Sequence, residues 1–236
     1  MFERSHADGI LILSDLAGGD AAFADLTSQH RFVIGVSDRT ERTSFPGVYG
    51  DSDLGTRLAL DHLWQLGHRR IVCVFDPGTA DQRQRGKLYE RFMVDRGQAG
   101  AIATYQTTQP DPEPSYRLGR ELFARAEFTT ARPTAIFATS DTIAIGLMQA
   151  AFQARIAVPD RLSIVGFDDI DIAAYTIPPL TTVSQSGVEM GRTAAELLLD
   201  MIDQDRSPDE TEDVVLPPRL VVRDRPPPRA TAATQD

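Results

Sequence analysis

Six short apolar runs limit what this chain can fold into. They are Ile10–Leu13, Phe32–Val36, Ile71–Phe75, Ala101–Tyr105, Thr134–Ala138 and Leu162–Gly166. Each is close to continuously apolar and does not alternate, which is the pattern of a strand buried on both faces of a parallel sheet. Between them lie stretches with helical spacing. Leu54, Leu58, Ala59 and Leu63 predict a helix from Asp53 to Leu66, capped by Asp51, Ser52 or Asp53 and ended by Gly67. Ile143, Ala144, Leu147 and Ala151 predict another, running to about Ala154. Strand and helix patterns alternate from about Ile10 to Val165, the signature of doubly wound α/β architecture.

The remaining segments are read the same way. Further helices are expected from Gly18 to His30, Arg83 to Asp95, Tyr116 to Ala126 and Gly187 to Met201. In the last, Val188, Ala195, Leu198 and Leu199 are taken as the inward face. Pro46, Gly47 and Gly50 mark a turn-rich connection, and Gln109 to Ser115 a proline-rich loop. Val214–Leu216 and Leu220–Val222 are extended. Asp224 to Asp236 has the composition of a disordered tail.

Polar residues follow the strands closely. Asp15, Asp38, Asp76, Ser140-Asp141 and Asp168-Asp169 each stand at the end of an apolar run. A parallel sheet brings such ends to one edge, and open α/β sheets bind ligands outside that edge. Arg83 follows one strand by a short loop and can reach the same place. Carboxylates accept hydrogen bonds from hydroxyls and arginine donates a planar fork, so the set suits a polyhydroxylated ligand. Asp and Ser at such turns also cap helices. Asp168 stands apart from that role, because it and Asp169 precede an irregular segment closed by Pro178-Pro179. The two prolines force extended backbone into Leu180–Val183.

Composition and motifs exclude several classes. The 236 residues carry a net charge of −10, a poor match for nucleic acid or an anionic membrane. The single cysteine, Cys73, lies inside an apolar run and reads as a buried hydrophobe, which fits a reducing compartment. Met1 to Gly9 lacks the apolar core of a secretory signal, and no apolar run is long enough to span a bilayer. There is no dinucleotide-binding or phosphate-loop glycine pattern and no nucleophile elbow. His6, His30, His62 and His68 have no metal-ligand spacing. Asp168 and Asp169 are neighbours that diverge, so they make no general acid–base pair. No enzyme activity, cofactor or metal is expected.

A resemblance emerges from motifs taken in order. Asp8-Gly-Ile-Leu-Ile-Leu13 is followed by Asp53-x-Gly55-x5-Asp61-His-Leu63-x3-Gly67-His68-Arg-Arg-Ile71 and by Arg83-x-x-Gly86. Then come Thr139-Ser-Asp-Thr-Ile-Ala-Ile-Gly146, Val158-Pro159-Asp160-x-Leu-Ser-Ile-Val-Gly-Phe-Asp-Asp169, Pro178-Pro-Leu-Thr-Thr-Val183 and Gly191-Arg192. Across about residues 7 to 224 the chain resembles the effector-binding domain of the LacI/GalR family of bacterial transcriptional repressors.

That resemblance implies a two-lobe, periplasmic-binding-protein-like fold of doubly wound parallel sheets with an incomplete N-terminal lobe. It implies a partial N-terminal lobe at 7–50, a C-terminal lobe at 51–183 and a return helix at 184–206. Residues 213–223 would form the final strand segment of the C-terminal lobe, and 224–236 the tail. By motif position it implies effector contacts from Arg83, Ser140 and Asp168, joined by Asp15 and Tyr116, and hinge positions at Gly50, Val183 and Ser184. The implied function is ligand sensing in a cytoplasmic, homodimeric regulator whose lobes close over a sugar, polyol or nucleoside. Closure is coupled to operator DNA through an N-terminal helix-turn-helix. Three departures bear on this. Ser140 replaces the family's asparagine, Lys87 stands where an aromatic is usual, and the chain starts near the Asp-Gly-Ile strand. The helix-turn-helix, the hinge and the first two strands are therefore expected to be absent. The alternative is a periplasmic-type solute-binding protein, which shares the fold but needs an export signal.

Overall fold

In the computed structural model, which describes residues 7–13, 29–38, 45–109, 111–125, 128 and 133–223, the chain divides into two units. One comprises Met1–Ser52 with Gln185–Pro218, the other Asp53–Ser184 with Arg219–Asp236. The backbone thus passes between units at Ser52–Asp53, Ser184–Gln185 and Pro218–Arg219. Residue 15, the helix expected over 18–30 and the tail from 224 lie largely or wholly outside the described residues.

The smaller unit holds a sheet of β1 (Ile10–Leu13), β2 (Val33–Asp38), β3 (Gly47–Gly50) and β9 (Val214–Leu216), in that order and parallel throughout. Helix α5 (Gly187–Asp203) supplies Met190, Ala194 and Met201 to a core with Ile34, Val36 and Val48. Two sequence readings change here. Gly47–Gly50 is a buried strand, not a turn. Val48 is fully buried, and Gly47 has no Cβ because one would stand 2.4 Å from the Tyr49 ring. The inward face of α5 is the Met190, Ala194, Met201 stripe, with Leu198 packed against it as expected, whereas Val188 is 92% exposed and Leu199 60%.

The larger unit is built on a six-stranded sheet in the order β10-β8-β7-β6-β4-β5. The strands are β4 (Ile71–Phe75), β5 (Thr104–Gln106), β6 (Ala135–Ala138), β7 (Ser163–Asp168), β8 (Thr181–Ser184) and β10 (Arg219–Val221). All pairs are parallel except β10 with β8. The apolar runs are continuous because both faces are covered. Val72, Val74, Ile136 and Ile164 pack against α3 (Pro112–Ala124) and α4 (Asp141–Gln153). Ile71, Cys73, Phe137, Val165 and Phe167 face α1 (Ser52–Gln65) and α2 (Ala80–Asp95). Cys73 is fully buried, and burial pushes its thiol well above the usual range.

Helix α3 begins at Pro112, four residues before the expected Tyr116. Proline is tolerated in the first turn, where its missing N–H has no partner to lose. The segment 213–223, expected as a final strand segment of the larger lobe, is instead divided between the two units. Val214–Leu216 pairs with Val48–Gly50 in the smaller unit, and only β10 joins the larger sheet. Among the described residues, no helix is long and apolar enough to cross a membrane.

Candidate functional site

The strand order of the larger sheet reverses between β4 and β6, and ligands bind open α/β sheets at such a switch point, beyond the carboxyl ends of the strands. Gln82, in the first turn of α2, closes this point. Its Oε1 accepts from the Asp76 amide at 2.9 Å and from the Thr139 hydroxyl at 2.8 Å, tying the end of β4 to the end of β6. The Asp76 carboxylate turns inward and accepts from the Gly78 amide at 2.9 Å.

Asp168 ends β7 with φ 107°, a region costly for any residue but glycine. Its side chain remains 35% exposed, with Oδ1 3.7 Å from Arg85 Nη1. Arg85 is 1% exposed. It donates to the Thr139 carbonyl at 2.5 Å, pairs with Asp81 at 3.4 Å and lies over the Phe167 ring at 3.7 Å. The cation under Asp168 is therefore Arg85. The expected residue, Arg83, is exposed on the same turn and donates to the Pro77 carbonyl at 2.6 Å.

The other expected contacts divide. Ser140 reaches the same edge, but its hydroxyl caps α4, accepting from the Ile143 amide at 3.4 Å and meeting Thr142 at 3.0 Å. Tyr116 is not brought there. Its hydroxyl donates to Gln153 at 2.6 Å, at the far end of α4 and roughly 20 Å along the helix from Ser140 at 1.5 Å per residue. Asp15 lies outside the described residues. Val183 and Ser184 end β8 at the crossing to Gln185, and Gly50 ends β3 just before the crossing to Asp53.

Asp141 and Arg223, neither of them among the expected effector contacts, hold the edge together. Asp141 is fully buried. Its Oδ1 accepts from the Thr182 hydroxyl at 2.5 Å and its Oδ2 from the Ile170 amide at 2.9 Å, joining α4 to β8 and to the turn after β7. Arg223 donates to the Asp169 carboxylate at 2.5 Å and to the Leu180 carbonyl at 2.8 Å, so Asp169 fixes the turn. Asp168 and Asp169 thus point to different cations and share no proton. Among the described residues, no group of three His, Cys, Asp or Glu is placed to hold a metal.

Burial drives the Asp141 carboxyl up from 3.8 to about 6, and nearby Asp169 adds to this, against the two hydrogen bonds and Arg223. The folded state therefore binds this proton more tightly than the unfolded chain. The stability it contributes is fully present below about pH 4 and is lost as pH rises through about 6, on the order of 3 kcal/mol across that window. The unfolding temperature of the wild type should rise relative to Asp141→Asn as pH is lowered from 6 to 4. Parallel pH profiles for the two proteins would show that Asp141 does not titrate there.

Comparison with known proteins agrees with this architecture. A family model described as a periplasmic binding protein-like domain matches residues 60–224. The arabinose metabolism transcriptional repressor of Geobacillus stearothermophilus is 35% identical over 206 residues, 85% of this chain and 55% of the relative. The chain thus spans about half the length of that curated repressor. A LacI family transcriptional regulator from Enterococcus faecium, solved with bound ribose, superposes with a TM-score of 0.80 at 30% identity, covering 94% of this chain and 81% of that one. One from Enterococcus faecalis, also with bound ribose, gives 0.81 at 27% identity, covering 96% and 80%. Fold and family match together define a periplasmic-binding-protein-like domain. More specifically, the chain belongs to the LacI/GalR family of transcriptional regulators and corresponds to their effector-binding domain.

Proposed function

We propose that this protein senses a small hydroxyl-rich effector, a sugar, polyol or nucleoside, at the carboxyl edge of the larger sheet, within a cytoplasmic transcriptional repressor. The observation that carries the reading is Asp168, a partly exposed carboxylate beside the topological switch point, backed by a buried guanidinium. Such a carboxylate accepts hydrogen bonds from ligand hydroxyls, and Arg83 on the adjacent turn adds a donor fork. The ribose held by the two Enterococcus regulators, and the arabinose repressor among the relatives, support a pentose as the first choice.

Effector occupancy biases the conformational equilibrium of a homodimer and with it the affinity for operator DNA. DNA contact falls to the family's helix-turn-helix and not to this domain, in keeping with the net charge of −10. Gly50, Val183 and Ser184, beside the crossings between units, absorb the backbone change.

Thermal unfolding against a panel of pentoses, hexoses, polyols and nucleosides tests this. An effector at a hundred times its Kd stabilises the folded state by about 2.7 kcal/mol. For a chain of this size that raises the unfolding temperature by about 5 to 10 °C. A panel in which no compound shifts the transition would overturn the reading.

A further inference from the structure

Arg85 is the largest fully buried side chain among the described residues. It occupies the inward stripe of α2, which continues with Tyr89 and Met93. Packing a helix on a sheet requires no charge in such a stripe, and a buried guanidinium is costly unless its donors and faces are matched. Here they are matched by Asp81, the Thr139 carbonyl, the Phe167 ring and Asp168. Three of these four partners sit at the carboxyl ends of β6 and β7, so the charge is held at the edge where Asp168 emerges.

Asp168 sits at φ 107° and keeps 35% of its side chain exposed, with Arg85 Nη1 3.7 Å from its Oδ1 on the buried side. A cation fixed from beneath, itself clamped between a ring and a carbonyl, restricts rotation of that carboxylate. Restricting a binding group before the ligand arrives lowers the ordering cost of association. We propose that Arg85 is a positioning residue of the effector site, holding the Asp168 carboxylate in the orientation that meets ligand hydroxyls. This rests on the reading of the strand edge as the effector site. It goes beyond that reading by giving the buried cation a role in affinity as well as in packing.

A double-mutant cycle separates the two roles. D-ribose and L-arabinose are titrated calorimetrically into the full chain, Arg85→Met, Asp168→Asn and the double variant. For whichever pentose binds, Arg85→Met weakens binding about tenfold in the wild-type background and less than about twofold when Asp168 is already asparagine. Equal losses in both backgrounds, with Asp168→Asn itself impaired, overturn the role of Arg85 and leave the effector site standing. A wild-type chain that binds neither pentose overturns the positioning role together with the pentose reading beneath it. Circular dichroism reports whether Arg85→Met folds. If it does not, Arg85→Lys carries the test, because it keeps the charge and loses the planar fork. Several-fold weaker pentose binding by Arg85→Lys, again suppressed in the Asp168→Asn background, supports the proposal. Wild-type affinity in Arg85→Lys overturns it.

Discussion

Asp168→Asn lowers effector affinity by about 4- to 13-fold while leaving the unfolding temperature of the unliganded protein within a few degrees of wild type. A hydrogen bond to a charged acceptor contributes about 1.5–3 kcal/mol, against about half that for a neutral amide. Removing the charge therefore costs affinity even where the shape is kept. Stability is spared for two reasons. Asparagine tolerates positive φ as readily as aspartate does, and Arg85 keeps Asp81, the Thr139 carbonyl and the Phe167 ring when its 3.7 Å contact to Asp168 loses its charge. Titration with the sugar that most stabilises the wild type, alongside thermal unfolding of both proteins without ligand, checks both halves. Unchanged affinity would remove Asp168 from the site.

The second large effect concerns folding. Gly166→Ala should destabilise the protein by about 3 kcal/mol, lowering the unfolding temperature by roughly 6 to 12 °C. A Cβ on Gly166 would stand 2.1 Å from Asp141 Oδ1 and 3.0 Å from the Leu180 side chain. The carboxylate cannot retreat without breaking its bonds to Thr182 and Ile170, and both of those donors would then be left without this acceptor. Gly191→Ala is the control. It lies in α5 with nothing within 4 Å of its added Cβ, and alanine is the better helix former there. Comparable losses in the two variants would show that the effect is not steric at Asp141.

The architecture of the larger sheet was legible because its strands are buried on both faces and therefore continuously apolar. The helices between them carry a 3.6-residue period. The placement of Asp168 at the end of a strand was legible too, from the apolar run before it and the proline-closed segment after it. Arg85 leaves a signal that a motif reading passes over, since Gln82, Arg85, Tyr89 and Met93 share one helical stripe. A charge in such a stripe requires buried partners. The motif Arg83-x-x-Gly86 points instead to the exposed arginine two residues earlier.

Other features were not legible, for identifiable reasons. Val214–Leu216 is extended, but three residues do not say which sheet they join, and the choice of β3 is made by tertiary contact. Tyr116 could be placed on a helix, whereas the direction of its ring toward Gln153 depends on how α3 packs on α4. Gly47 and Gly50 read as turn residues, because nothing local reveals that Tyr49 needs the space beside Gly47. Asp141 looked like one more helix-capping acid, and its role in joining α4 to β8 depends on a threonine far along the chain.

A ligand hydroxyl that meets Asp168 is directly observable. Crystals grown with the pentose that most stabilises the protein test it most directly. A sugar hydroxyl is expected at about 2.7–3.0 Å from an Asp168 carboxylate oxygen, with Arg85 still stacked on Phe167 beneath. Sugar density elsewhere on the chain, with the Asp168 carboxylate facing only solvent, would contradict it.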